Sequence, residues 1–261
     1  MVPVLFDLGF VAIETHDFFV VVGVATAVAV LWLKNRRRPY DSRLGLLVAG
    51  GLFSGAVFAK LGTGWQYVAS SEEPGLVGLW LHGGQSALGG LAGAYLGVLV
   101  TKRLIGYEKS TGDWFAPAVA AGLAVGRMGC FLTEQIGTPT TLPWGLSVSP
   151  ELASNMAYCP SCAQGLPMHP SFLYEILFHL AAFLLLFKVS GRIGKPGDSF
   201  KLYLVAYALF RFAVEFVRDN PEMLLGLSGS QIFLLGALPV GLAYFLWTRT
   251  QRTGMAMEAT T

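Results

Sequence analysis

The sequence predicts an all-α integral membrane protein with seven transmembrane helices, its N-terminus outside and its C-terminus inside the cell. Three observations lead to this fold class. Hydrophobic residues make up 54% of the chain and charged residues only 13%, a balance typical of proteins that lipid surrounds. Seven apolar stretches are long enough to cross a hydrocarbon core of about 30 Å. Basic residues collect at alternate ends of those stretches.

The predicted spans are joined by links of unequal length. They cover residues 17–33, 44–61, 83–101, 114–133, 170–188, 201–218 and 229–247. Two longer extracytoplasmic loops, 62–82 and 134–169, are expected to cover the outer mouth of the bundle. We therefore expect one seven-helix membrane domain over residues 1–248 and a polar cytoplasmic tail over 249–261.

Positive charge sets the predicted orientation. Most of the 18 lysines and arginines follow the first, third, fifth and seventh spans. They are Lys34, Arg36, Arg37, Arg38, Arg43, Lys102, Arg103, Lys109, Lys188, Arg192, Lys195, Lys201, Arg249 and Arg252. The positive-inside rule makes that side cytoplasmic. No removable signal peptide is expected in MVPVLFDLGF, and no basic, aromatic stretch indicates a nucleic-acid partner.

Two arginines lie inside predicted spans. Arg127 interrupts the fourth span, and Arg211 lies in the sixth, with Glu215 one helical turn further on. A guanidinium keeps its proton, so within a membrane it needs a counter-ion, a polar cavity or an anionic ligand. Residues Arg211 and Glu215 share a helix face, as do Glu175 and His179. This pattern predicts a functional site.

Polar residues, with several glycines among them, gather at the predicted outer ends of the spans. The set comprises His16, Asp17, His82, Gly83, Gly84, Arg127, Gly129, Cys130, Thr133, Glu134, Tyr174, Glu175, His179, Arg211, Glu215 and Arg218. Two arginines facing one cavity suit a phosphate, and the abundant phosphate at that depth belongs to phospholipid headgroups. The alternative is that Arg211–Glu215 and Arg218–Asp219 are ion pairs that only close the bundle. Arg218 taken alone is interpreted as a snorkelling interfacial residue.

The glycines and cysteines allow further interpretations. The spacing of Gly51 and Gly55, and of Gly89, Gly93 and Gly97, is typical of close helix packing in membranes.

The cysteine pair Cys159 and Cys162 forms C-P-S-C in an outer loop, where it is a structural disulfide, a redox-active pair or part of a metal site. Cys130 is separate, and is either a small buried residue or a nucleophile beside the site.

Four segments resemble the prolipoprotein diacylglyceryl transferases, in the order that this family has them. GRMGCFLTEQIG (126–137) resembles G-R-x-G-N-F-x-N-x-E-x-x-G, and GGQSALGG (83–90) resembles G-G-x-S-x-H-G-G. HPSFLYE (169–175) is similar to H-P-[ST]-x-L-Y-E, and ALFRFAVEFVRDNPE (208–222) resembles G-x-F-R-x-x-x-E-F-x-R-x-P-D. The resemblance covers nearly the whole chain.

The resemblance implies an enzyme that transfers the diacylglyceryl group of phosphatidylglycerol to the lipobox cysteine of a prolipoprotein. Arg127 and Arg211 would hold the phosphate and stabilise the leaving group, while Glu134 and Glu215 would orient them. Substrate binding is expected at Gly83, Gly84, Ser86, Gly89, Gly90, Cys130, Gly137, Tyr174, Glu175 and Glu215. Neither a cofactor nor a metal is implied. The expected partners are phosphatidylglycerol or another anionic phospholipid, the prolipoprotein signal region and the bilayer, at the bacterial inner membrane.

The chain departs from the family pattern near the reacting groups. Leu88 stands where the family has His, and Cys130 and Thr133 stand where it has Asn, with one residue fewer before Glu134. The family's Tyr-Gly of the first span falls on His16-Asp17. A thiol acceptor gains from a base, so we consider His82 and His16 as catalytic substitutes.

Two other functions compete with the enzyme. A non-catalytic phospholipid- or lipoprotein-binding paralogue would keep the arginine clamp but lack the usual histidine. A small-solute transporter fits less well, because the inner halves of the spans offer no polar path.

Overall fold

A computed structural model describes residues 4–7, 12–37, 39, 41–64, 67–68, 75–82, 84–133, 137–149, 153, 160–220, 222–237, 239, 241 and 243. The chain divides into two compact units, one of Met1–Asn35 with Thr111–Thr261 and one of Arg36–Ser110. We call them the first and second units. The predicted single membrane domain over 1–248 stays a prediction, and the predicted tail over 249–261 lies outside the described residues.

Helices dominate the described residues. They are α1 (Thr15–Asn35), α2 (Arg43–Leu61), α3 (Leu76–His82), α4 (Ala87–Leu104), α5 (Gly112–Thr133), α6 (Pro160–Ala163), α7 (Ser171–Val189) and α8 (Asp198–Val214). A 3₁₀ turn, Glu215–Val217, continues α8. Two antiparallel hairpins accompany the helices: β1 (Val4–Asp7) pairs with β2 (Ala12–Glu14), and β3 (Glu222–Leu224) pairs with β4 (Leu227–Ser228).

Among the described residues, four helices are long and apolar enough to cross a membrane: α1, α2, α5 and α7. They coincide with the first, second, fourth and fifth predicted spans, and four such helices are typical of a multi-pass membrane protein. The third and sixth predicted spans are helical as α4 and α8, although neither is among those four. Helix α8 ends at Val214, where the backbone continues into the 3₁₀ turn, four residues before the predicted end of the sixth span. Residues 229–237 of the seventh predicted span are helical.

Glycine lets the helices approach closely within each unit. In the first unit, α1 packs on α5 where a Cβ added to Gly23 would lie 2.6 Å from the Gly122 carbonyl oxygen. In the second unit, α2 packs on α4 where a Cβ added to Gly97 would overlap the Gly50 carbonyl oxygen. Both approaches are closer than any normal contact. These helices therefore pack as closely as the predicted small-residue spacing indicates.

The segment between α5 and α7 folds onto the start of α7. Met168 exchanges two backbone hydrogen bonds with Leu146, each 2.9 Å, and the His169 N–H donates to the Thr138 carbonyl at 2.8 Å. Thr138 in turn donates its N–H to the Val217 carbonyl at 3.0 Å. These bonds tie the loop to the 3₁₀ turn. We call residues 137–149 and 160–170 the cap segment.

Cys162 lies inside this cap segment. It is fully buried beside Val148, Ala153 and Met168, and it is disulfide-bonded. Cys159 lies outside the described residues, so its predicted pairing with Cys162 stays a prediction. A disulfide in this segment fits the structural interpretation of the C-P-S-C sequence better than a reactive dithiol.

We predict that Gly23→Ala destabilises the protein. The new methyl group would meet the backbone of α5, and overpacking of this kind costs about 1–3 kcal/mol. Thermal unfolding in detergent should therefore shift to a lower temperature. Gly45→Ala is the matched control, because nothing lies within 4 Å of a Cβ added to that helical glycine. An equal or smaller loss for Gly23→Ala than for Gly45→Ala would contradict the packing interpretation.

Candidate functional site

Helices α7 and α8 carry a regular series of polar side chains on facing surfaces. Residues Tyr203, Tyr207, Arg211 and Glu215 recur at every fourth position along α8 and into the 3₁₀ turn. On α7, Glu175 and His179 are four residues apart and both are fully buried. Because residues four apart share a helix face, each helix presents one continuous polar stripe. The two stripes meet inside the first unit.

Glu175 is the centre of this contact. Its Oε1 accepts a hydrogen bond from Arg218 Nη1 at 2.9 Å, and Arg211 Nε lies 3.8 Å from the same oxygen. Its Oε2 lies 2.7 Å from Arg127 Nε, an ion pair in which the N–H is not directed at the oxygen. One buried carboxylate thus balances arginines from α5, α8 and the segment after the 3₁₀ turn.

Glu215 is the second carboxylate of the site. It forms an ion pair with Arg211 through Nη1, and Arg218 Nε lies 3.9 Å from its Oε2. Its Oε1 accepts hydrogen bonds from Ser228 Oγ at 2.6 Å and Asn220 Nδ2 at 2.7 Å. These polar partners hold the carboxylate beside the β3–β4 hairpin. We call Arg127, Glu175, Arg211, Glu215 and Arg218 the arginine cluster.

The arginine cluster carries three cations and two anions. Burial of unequal charge is expensive, and the remaining positive charge favours an anionic ligand. The side chains of Arg127 and Arg218 keep 12% and 13% of their surface exposed, whereas that of Arg211 keeps 7%. A guanidinium has five N–H donors and binds phosphate or carboxylate bidentately. The cluster can therefore hold a monoanion such as a phosphodiester.

Tyr207 links the cluster to a second polar layer. Arg127 Nη2 donates to Tyr207 Oη at 3.2 Å, and Tyr207 donates its hydroxyl proton to Glu175 Oε2 at 3.2 Å. The His179 ring packs against Tyr207 with centroids 4.6 Å apart, and His179 Nδ1 lies 2.9 Å from Tyr203 Oη. Neither tyrosine was predicted from the sequence. Their spacing of four and eight residues from Arg211 indicates that they share its helix face, and this could have identified them.

Arg218 is also part of the cluster, which corrects its interpretation as a snorkelling residue. Its guanidinium lies 4.3 Å above the centroid of the Phe172 ring and donates to Glu175. Snorkelling requires the charged group to reach water, whereas this one is enclosed by an aromatic face and a carboxylate. The predicted Arg211–Glu215 pair is present, and it belongs to the same network as Arg218.

Cys130 and His16 lie close to Arg127. Arg127 Nη1 is 3.6 Å from Cys130 Sγ, and Cys130 is a buried thiol. The backbone of His16 packs on α5, since a Cβ added to Gly129 would lie 3.1 Å from the His16 carbonyl oxygen. The His16 ring is 3.5 Å from the Asp17 carboxylate. The first helix thus enters the bundle beside the cluster.

Gly137 and Tyr174 belong to the cap side of the site. A Cβ added to Gly137 would lie 2.6 Å from both the His169 and Val217 carbonyl oxygens, so glycine allows three segments to meet there. Tyr174 Oη accepts a hydrogen bond from Trp144 Nε1 at 2.9 Å and lies 3.1 Å from His169 Nδ1. His169 and Trp144 were not predicted as site residues.

The remaining predicted residues fall into two groups. Those described in the second unit are Gly84, Ser86, Gly89 and Gly90, whose contacts join α2, α4 and the loop before α4. Ser86 caps α4 by accepting a hydrogen bond from the Gly89 N–H at 3.0 Å. Glu134, Gly83 and the side chain of His82 lie outside the described residues.

Comparison with known proteins gives one family. The model of the prolipoprotein diacylglyceryl transferase family matches residues 3–247. A phosphatidylglycerol–prolipoprotein diacylglyceryl transferase of Vibrio atlanticus is 33% identical over 94% of this chain and 90% of its own length. The enzymes of the same name from Bordetella bronchiseptica and Trichormus variabilis are 31% and 30% identical, each over 94% of this chain and over 95% and 89% of their own lengths. The chain therefore belongs to the prolipoprotein diacylglyceryl transferase family, a family of membrane transferases.

Proposed function

We propose that this protein transfers the diacylglyceryl group of phosphatidylglycerol to the lipobox cysteine of a prolipoprotein. The proposed place is the outer leaflet of the bacterial inner membrane. The observation that carries the proposal is the excess positive charge of the arginine cluster, buried among apolar helices, which suits the single negative charge of a phosphodiester. The family relatives act on phosphatidylglycerol and prolipoprotein by name.

The proposed reaction replaces one bond to glycerol carbon by another. The acceptor thiolate forms a C–S bond to the terminal carbon of the diacylglyceryl group, and the C–O bond to phosphate breaks. Glycerol phosphate leaves with an additional negative charge. Arg127 and Arg218, which retain exposed surface, would face this developing charge. Arg211, to which the family resemblance assigns the phosphate, is more buried and would instead hold Glu215 and Glu175 in place. Such preorganised charge stabilises a transition state without reorganisation of the site.

The proposal includes a topology of seven spans with the N-terminus outside. The C-terminal end of α5 and the N-terminal end of α7 both contribute to the arginine cluster, as does the C-terminal end of α8. Helices that alternate in direction bring such ends to one face of the membrane. The basic residues after α1, α4 and α7 support a cytoplasmic position for the opposite face, which would leave the cluster at the outer face.

A non-catalytic binding paralogue is the second candidate function. It is favoured by Leu88, because no base occupies that position. Transfer of labelled diacylglyceryl from phosphatidylglycerol to a lipobox peptide distinguishes the two. If the protein binds the lipid in a way that depends on Arg127 but transfers nothing, the proposal of an enzyme is contradicted.

We predict that Arg127→Ala lowers kcat/KM for transfer by about 10²–10³-fold, the loss seen when a transition-state donor is removed. Arg127→Lys should recover only part of it, since an ammonium cannot bind phosphate bidentately. The rate of peptide modification measures both. Arg103→Ala is the control, because Arg103 is an exposed residue at the end of α4. Activity above one half of wild type in Arg127→Ala would oppose a role in the reaction.

We also predict that Glu175→Gln destabilises the first unit by about 3–5 kcal/mol, since removal of one partner leaves buried charge unpaired. Three arginines would then face only Glu215. Thermal unfolding in detergent measures the loss, and Glu14→Gln is the control on an exposed carboxylate. Unchanged stability in Glu175→Gln would mean that the arginines do not depend on Glu175.

The pH dependence of transfer identifies the base. A thiol with a pKa of about 8.5 ionises by itself as the pH rises from 7 to 9, so a lost base matters less at high pH. We predict that the defect of His82→Ala or His16→Ala, relative to wild type, shrinks over this range for whichever histidine accepts the proton. A defect that is constant with pH would exclude that histidine as the base.

A further inference from the structure

Trp144, Tyr174 and His169 form a hydrogen-bonded chain beside the arginine cluster. Trp144 Nε1 donates to Tyr174 Oη at 2.9 Å, and His169 Nδ1 lies 3.1 Å from the same oxygen. The Trp144 side chain is 55% exposed, whereas the other two residues are half-buried. The chain therefore runs from the protein surface inwards. The sequence does not assign a role to Trp144 or His169.

The chemistry of the indole sets the direction of the first hydrogen bond. An indole N–H can only donate, so Tyr174 Oη is an acceptor towards Trp144. The hydroxyl proton of Tyr174 is then available to His169 Nδ1. A neutral histidine that accepts at Nδ1 carries its proton on Nε2. In the tautomer that accepts this proton at Nδ1, His169 presents Nε2–H as a donor.

Two members of this hydrogen-bonded chain, Tyr174 and His169, adjoin the arginine cluster. Tyr174 directly precedes Glu175 on α7. The His169 carbonyl contacts the same Gly137 position as the Val217 carbonyl, and Arg218 follows Val217. Phe172, in the first turn of the same helix, lies under the Arg218 guanidinium at 4.3 Å. The cap segment is thus hydrogen-bonded to the backbone next to Arg218, the cation proposed to face the phosphodiester.

We propose that the Trp144–Tyr174–His169 chain binds the alcohol headgroup of the phospholipid, with His169 Nε2–H donating to a headgroup hydroxyl oxygen. This inference rests on the proposed function, because the arginine cluster must first hold the phosphate. The chain makes the site selective for a hydroxylated headgroup over one of equal charge that lacks hydroxyls. Its members are specificity residues, and the bonds that form and break lie on the other arm of the phosphodiester.

Equilibrium binding to two short-chain lipids tests the proposal on the full chain in detergent. Phosphatidylglycerol and phosphatidylmethanol carry the same phosphodiester charge, but only the first has headgroup hydroxyls. We expect wild type to bind phosphatidylglycerol about tenfold more tightly, the value of one to two hydrogen bonds. Tyr174→Phe and His169→Ala should weaken the binding of phosphatidylglycerol alone, and so bring the ratio of the two affinities towards one.

The controls separate the subsite from folding and from catalysis. Trp144→Phe removes the first donor at an exposed position and should lower the ratio less than His169→Ala. Trp32→Phe, at a 63% exposed tryptophan of α1, should leave it unchanged. A wild-type ratio within twofold of one, no measurable binding of either lipid, or an unchanged ratio in Tyr174→Phe and His169→Ala overturns the proposal. An intact, variant-sensitive ratio without any transfer activity would contradict the proposed function alone.

Discussion

The structure of the first unit depends on one buried carboxylate. Glu175 contacts Arg127, Arg211 and Arg218, which come from three separated parts of the chain. Since a guanidinium cannot lose its proton, each arginine needs a carboxylate partner or an anionic ligand to remain among apolar helices. The packing of α7 against α5 and α8 is thereby fixed at one depth and one rotation. The same interaction leaves the cluster with one positive charge in excess, so structural stability and anion binding have a common origin.

Two helices contribute to this arrangement through a repeat of four residues. The polar series on α8 from Tyr203 to Glu215 meets the shorter pair on α7, and Tyr207 joins them by contacting both Arg127 and Glu175. A repeat of four advances about 40° around an α-helix at each step, so the stripe winds around α8. Tyr203 contacts His179 of α7, whereas Tyr207 also reaches Arg127 of α5. Buried hydrogen bonds in such a stripe limit the ways in which the helices can slide. The cap segment then attaches to the same end through Thr138 and Val217.

Much of this site could be predicted from the sequence, and the reasons for the exceptions are physical. Arg127, Arg211 and Glu215 stand out because charge is rare in apolar stretches, and Glu175 and His179 because they share a face. Tyr203, Tyr207 and Trp144 were missed because aromatic residues are ordinary in membrane helices and loops, and only their partners reveal a polar role. Arg218 was misinterpreted because its position near a helix end suggests exposure to water. The cap segment depends on contacts between distant residues, such as Thr138 with Val217, which no local pattern records.

The unequal charge of the arginine cluster has a consequence for turnover under the proposed function. A phosphodiester brings one negative charge to the site, whereas the glycerol phosphate that leaves carries up to two near neutral pH. The cluster therefore attracts the product more strongly than the substrate. Such a cluster therefore slows the release of glycerol phosphate into water, rather than the formation of the bond to sulfur. Competition by soluble phosphate monoesters, and relief of that competition by salt, are the kinetic behaviour that such a site imposes.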